Sequence, residues 1–327
     1  MQTIFLRATF PNRKTHESDT VLSPQHKRSA TCIISVALGI TLLFAVLPKA
    51  AVTAEPALEK ELTPLTRTGL FKRDPVFVDG GESLVFVLLE RPEQLRLMRL
   101  NLRNGATTPL HPDETRSELE PAFSRDGRYY AFLQSRSAAS VAMVIRDTQE
   151  SRDAEVPAGA GFAGMRHPAI APDNSRLVYS YPEDGRQQIY AVNMQAGDRQ
   201  PITDSGGINN WPGFSPDGKQ IVFGSTRDGN FEIYLMDADG SNVRRLTRNR
   251  AQDLRPRFSP DGQRVAFTSN RDGNYEIYLV DSDGSGLQRL TNHPERDDYA
   301  AWHPNGKQLV SVSERAGRFD LYLIPVP

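Results

Sequence analysis

Residues 212–247 read PGFSPDGKQIVFGSTRDGNFEIYLMDADGSNVRRLT, and residues 256–291 read PRFSPDGQRVAFTSNRDGNYEIYLVDSDGSGLQRLT. The two stretches align without a gap at an offset of 44. Carried outward, the same register finds weaker copies starting at Pro75, Pro121, Pro168 and Ala300, so that six units begin at 75, 121, 168, 212, 256 and 300. A fixed period of this length is the mark of a propeller or a solenoid.

Within a unit the alternation is that of strands. Ile221, Phe223 and Ser225 alternate with Val222 and Gly224, and no 3.6-residue period runs through residues 55–327. Turn residues bound each run: Pro216-Asp217-Gly218, Asp228-Gly229-Asn230 and Asp239-Gly240. Four short antiparallel strands per unit follow, and four strands make one propeller blade. The last unit ends after its third strand, while Leu65 stands ten residues before Pro75, as Leu246 stands ten before Pro256. We therefore expect an all-β, six-bladed propeller over residues 55–327, closed by a strand near residues 61–67 that completes the last blade.

The first 54 residues are of another kind. Ile33–Leu47 is a largely apolar run of fifteen residues without a charge, preceded by His26-Lys27-Arg28 and followed by small residues up to Ala54. This reads as a signal segment, cleaved after Ala54, because about 20 apolar residues are needed to span a bilayer. Residues 1–54 are thus expected to direct export to the periplasm or the extracellular space, with membrane attachment only if the segment stays uncleaved. The single cysteine, Cys32, lies in this segment, so residues 55–327 hold no disulfide. Those residues carry 33 Lys and Arg against 38 Asp and Glu, a charge of −5 that speaks against a nucleic-acid partner.

The motif P-x-[FW]-S-P-D-G, followed by an apolar strand, S-x-R-D-G-N-x-E-I-Y and D-x-D-G-S, resembles the WD40-like repeat of the TolB family of periplasmic propellers. It is clean at Pro212–Ser241 and Pro256–Ser285 and decayed in the other four units. The resemblance covers roughly residues 60–327 and implies the propeller fold, an extracytoplasmic location and a protein partner. Tol-system members carry an α/β domain ahead of the propeller. Between Ala54 and the first blade strand there is no helical period and no length for one, so the expectation here is a propeller alone.

Several chemical motifs begin and then fail. Gly213 to Lys219 follows a phosphate-loop pattern, but Gln220 stands where Ser or Thr would meet magnesium, and strands flank it on both sides. Asp237-x-Asp239-Gly240 and Asp281-x-Asp283-Gly284 open like calcium loops without the closing glutamate. No G-x-S-x-G or H-E-x-x-H occurs. His111, His167, His293 and His303 lack ligand spacing. Arg227 and Arg271 recur with the repeat and read as scaffold residues. We expect no catalytic residue, no cofactor and no metal, and a monomer.

Binding is expected on the face where each outer strand runs on to the next blade, because such loops sit on a rigid scaffold. The residues just before each inner strand should ring the channel mouth there: Arg73 and Asp74, Glu120, Arg166 and His167, Asn210 and Trp211, Asp253 and Arg255, Asp298 and Tyr299. Trp, Tyr and Arg are the types that dominate interface hot spots. The reading is a non-catalytic protein- or peptide-binding module. The competing one is an enzyme or sensor that holds a metal or a carbohydrate in the channel, as propeller lyases do.

Overall fold

The computed structural model describes residues 62–138, 140–157, 164–183 and 185–327. The expected signal segment, residues 1–54, lies outside them. The described chain forms six four-stranded antiparallel sheets and one 3-10 turn, Asp79–Gly81. Each sheet is one blade. The innermost strands are Lys72–Val78, Glu118–Phe123, Arg166–Ile170, Asn209–Phe214, Asp253–Phe258 and Asp297–Trp302, all beginning at the face where the mouth was expected.

The repeat explains each blade. In blade 4, Ser215 Oγ donates to Asp217 Oδ1 at 2.6 Å, and the Lys219 amide donates to the same oxygen at 3.1 Å. Gly218 supplies a φ of 73°. The supposed phosphate loop is therefore a hairpin turn closed on itself, between Asn209–Phe214 and Gln220–Ser225.

Both faces of the central strands are buried, because every blade is sandwiched between two others. Ile221 and Phe223 pack toward blade 3 with Val178 and Ile189. Val222, Ile233 and Leu235 pack toward blade 5 with Val265, Phe267 and Tyr278. Among the described residues there are six such apolar clusters, one at each blade interface, including blade 6 against blade 1, where Val310, Val312 and Leu321 meet Phe77, Leu84 and Phe86. Each fully buried aliphatic or aromatic side chain contributes about 1.5–3 kcal/mol.

The ring closes as the strand count predicts. Thr63–Pro64 pairs antiparallel with Arg318–Pro325, giving blade 6 its fourth strand. Asp320, on that third strand, holds the chain that returns to blade 1. Its carboxylate accepts from Thr66 Oγ1 (2.7 Å), the Thr68 and Gly69 amides (3.0 Å each) and Lys72 Nζ (3.0 Å). The first residue of E-I-Y does the same work in blade 4. There Glu232 accepts from Thr247 Oγ1 at 2.6 Å and from the Asn249 amide at 2.7 Å. The motif acid thus pins the loop that leads to the next mouth position.

Candidate functional site

In every blade the innermost strand slips by one residue against its neighbour. The slips lie between Arg73 and Val76, Leu119 and Ala122, Arg166 and Ala169, Asn210 and Gly213, Leu254 and Arg257, and Asp298 and Ala301. Within each slip one residue has a left-handed backbone, with φ of 52° at Asp74, 53° at Glu120, 55° at His167, 56° at Trp211, 53° at Arg255 and 58° at Tyr299. For a non-glycine residue this conformation costs about 1–2 kcal/mol. All but Tyr299 also precede a proline, which ordinarily favours extended backbone. A bulge bends its strand and re-aims a side chain. Six equivalent bulges bring six side chains to the channel axis.

All six line one cavity of about 230 Å³. On its outer side lies a vestibule of about 310 Å³, which adds Arg73, Arg166 and Asn210 to His167, Trp211, Arg255 and Tyr299. On its inner side the channel widens to about 750 Å³, collared by Phe77, Phe123, Phe214, Phe258 and Trp302 with Ile170. Those are the aromatic positions of the P-x-[FW]-S motif, so the repeat itself writes an apolar collar below a polar mouth.

The polar mouth is a network of arginines on carboxylates. Glu120 accepts from Arg73 Nη2 (2.8 Å), Arg166 Nε (2.6 Å) and the His167 amide (2.6 Å). Asp298 accepts from Arg255 Nη1 (3.2 Å), Thr268 Oγ1 (2.9 Å), Arg296 Nε (3.1 Å) and the Tyr299 amide (2.7 Å). Asp74 accepts from Arg73 Nε at 2.6 Å. Arg255 lies over the rings of Tyr299, at 4.3 Å, and Trp211, at 5.3 Å. Burial opposes the charge on Arg73, but Asp74 and Glu120 outweigh it and raise the guanidinium above its ordinary value. Burial, helped by Arg166, drives His167 well below the usual imidazole range, so its ring is neutral at pH 7.

Among the described residues three buried polar atoms of the mouth find no hydrogen-bond partner: His167 Nδ1, Asn210 Oδ1 and Trp211 Nε1. Buried polar groups ordinarily find partners, so each orphan calls for an explanation.

Of the residues expected at the mouth, Arg73, Asp74, Glu120, Arg166, His167, Asn210, Trp211, Arg255 and Tyr299 come together around these two cavities. Asp298 lies just behind them, 1% exposed, as the anchor of Arg255 and Arg296. Asp253 stands apart. It is fully buried, and Arg271 Nη2 grips both its carboxylate oxygens at 2.9 and 2.8 Å. Arg271 also lies over Phe267 and Tyr278, as Arg227 lies over Phe223 and Tyr234. Each of these arginines ties the loop after the second strand to the inner strand of its own blade, Arg227 through Asn209 and Arg271 through Asp253.

Sequence reasoning passed over Arg257, which lines the 230 Å³ cavity. The signal was present in the repeat. Arg257 fills the x of P-x-F, where the other five units have Val76, Ala122, Ala169, Gly213 and Ala301.

The family model described as "TolB beta propeller domain" matches residues 84–256, and that of the "Tricorn protease N-terminal beta propeller domain" matches residues 233–324. The chain is similar to the crystal structure of TolB from Acinetobacter baumannii, with TM-score 0.62 and 21% identity over 79% of this chain and 66% of that one. A putative TolB from Agrobacterium tumefaciens gives TM-score 0.62 and 22% identity over 80% and 93%. An oligogalacturonate lyase from Vibrio parahaemolyticus gives TM-score 0.57 and 14% identity over 81% and 93%. At these identities the likeness is one of fold. A search of curated proteins found no match.

Proposed function

We propose that this chain, which belongs to the TolB β-propeller domain family, is an exported, non-catalytic module that holds a protein or peptide partner at its channel mouth. The ring of six left-handed bulge residues carries this reading. Strained backbone persists only where the surrounding structure over-determines it, and such strain gathers at ligand clamps and active sites. Here it is repeated in every blade and presents Trp211, Arg255 and Tyr299, the residue types of interface hot spots. The carboxylates of the mouth are each engaged by arginine, an arrangement suited to a rigid docking surface rather than to proton transfer. Export is supported by the apolar run Ile33–Leu47 and its flanks.

The test uses the propeller as bait against an envelope extract, beside the variant Trp211→Ala/Arg255→Ala/Tyr299→Ala and the milder Arg255→Gln. The wild type captures a partner, the triple variant loses it while keeping its strand signature by circular dichroism, and Arg255→Gln weakens it. Equal capture by all three baits overturns the reading.

A further inference from the structure

Inside the mouth the balance of charge and of hydrogen-bonding groups is uneven. Four guanidiniums, those of Arg73, Arg166, Arg255 and Arg257, line the two cavities with two carboxylates, Asp74 and Glu120, while Asp298 behind them holds Arg255 and Arg296. The carboxylates are all engaged, and one of the cations is not. Among the described residues Arg257 makes no ion pair. Its one side-chain hydrogen bond runs from Nη1 to the carbonyl of its own neighbour Pro256, at 2.9 Å. It lies within electrostatic reach of Asp74 and Glu120 but is bonded to neither, and an arginine stays charged at any ordinary pH. Trp211, 8% exposed and lining the same cavity, has a buried Nε1–H with no acceptor among the described residues. An indole nitrogen and a guanidinium only donate. Whatever completes them must bring acceptors and negative charge.

We propose that the 230 Å³ cavity is a carboxylate site, in which a ligand carboxylate is held by Arg257 and by the indole N–H of Trp211. This rests on reading the mouth as the binding surface and names the chemistry it recognises. A planar carboxylate matches the donor fork of a guanidinium. The volume admits one small group, so a chain end or a single acidic side group enters and the rest of the ligand stays in the vestibule. The repeat points the same way, because arginine here departs from a position that is otherwise small and apolar.

Both tryptophans of the chain, Trp211 and Trp302, line this cavity, so intrinsic emission reports its contents directly. N-acetylglycine, as a peptide-type carboxylate, and galacturonate, as a sugar acid, are titrated at constant ionic strength beside the neutral N-acetylglycinamide. At least one carboxylate gives a saturable change that the amide does not, and the two arms tell a peptide source from a sugar source. Arg257→Ala restores the residue found at this position in three other blades and keeps the fold. It weakens the bound carboxylate by about tenfold or more, as expected for the loss of a charged hydrogen bond. Trp211→Phe removes the indole donor, weakens it several-fold, and leaves Trp302 to report. No saturable change, equal binding of the amide, or undiminished binding by Arg257→Ala overturns the proposal. Partner capture that depends on Trp211, Arg255 and Tyr299 yet survives Arg257→Ala refutes the carboxylate site alone and leaves the mouth as the docking surface.

Discussion

Gly224 and Trp211 show how one absent side chain makes room for another. A Cβ placed on Gly224 lies 2.8 Å from Cε3 and 3.1 Å from Cζ3 of the indole. The equivalent positions in the other blades are Val87, Leu133, Ser180, Thr268 and Val312, so blade 4 alone has a glycine where the ring approaches the second strand. Overpacking such a contact costs about 1–3 kcal/mol. Gly224→Ala therefore lowers the urea midpoint and shifts tryptophan emission, because the indole is pushed toward the channel. An unchanged spectrum would show that the ring does not rest on Gly224. The positions of the ring residues are legible in the sequence, since each stands directly before the first residue of a repeat unit, although the pairing reaches back past that point and places each of them inside its inner strand rather than ahead of it. Their left-handed backbone is not legible, because a residue before proline is expected to be extended. Only strand register exposes the extra residue in each blade.

At the scale of elements, the connection between outer and inner strands decides whether the mouth keeps its shape. Asp320 carries that duty for the closing loop, and Lys72, 1% exposed, is its partner at 3.0 Å. Removing one member of a buried pair strands the other and costs about 3–5 kcal/mol. Asp320→Ala should show a loss of that size in chemical denaturation, and Asp320→Asn a smaller one, because an amide oxygen still accepts from Thr66 and the backbone. Burial pushes the Asp320 carboxyl upward, but the bonds from Thr66 and Lys72 outweigh it and hold it below the ordinary range. The hydrogen bond from Arg128 holds Asp147 down at about 2. A carboxyl whose folded pKa is depressed stabilises the fold above its unfolded value, near 4, and that contribution is lost as pH falls toward the folded one. The unfolding midpoint is thus expected to hold down to about pH 4 and to fall between there and about pH 2. A midpoint that stays flat to pH 2 would contradict the assignment.

For the molecule as a whole, the ring is closed by two residues of strand and one buried carboxylate. A chain that starts at Thr68 lacks the Thr63–Pro64 strand and leaves Arg318–Pro325 as an open edge. It should unfold at lower denaturant and associate at high concentration. Loss of the clasp without either effect would mean that the six blade interfaces suffice. The six blades and the four strands of each were readable because they repeat with a period of about 44 residues, and closure because the last unit lacked the strand that the chain before Pro75 supplies. The mouth was readable as a place, since nine of its expected residues meet there. Asp253 fell outside because a buried ion pair with Arg271 cannot be told from an exposed acid by position alone, and Arg257 is seen only by comparing repeats with one another.

The central claim is that this face, and not the opposite one with its S-P-D-G turns, receives the partner. Amide hydrogen exchange of the propeller with and without its captured partner tests it most directly. Slowed exchange is predicted in the segments that open each inner strand, around residues 73–76, 119–122, 166–169, 210–213, 254–257 and 298–301. Protection confined to the turns at Ser124–Gly127, Ser215–Gly218 and Ser259–Gly262, with the mouth unchanged, would contradict it.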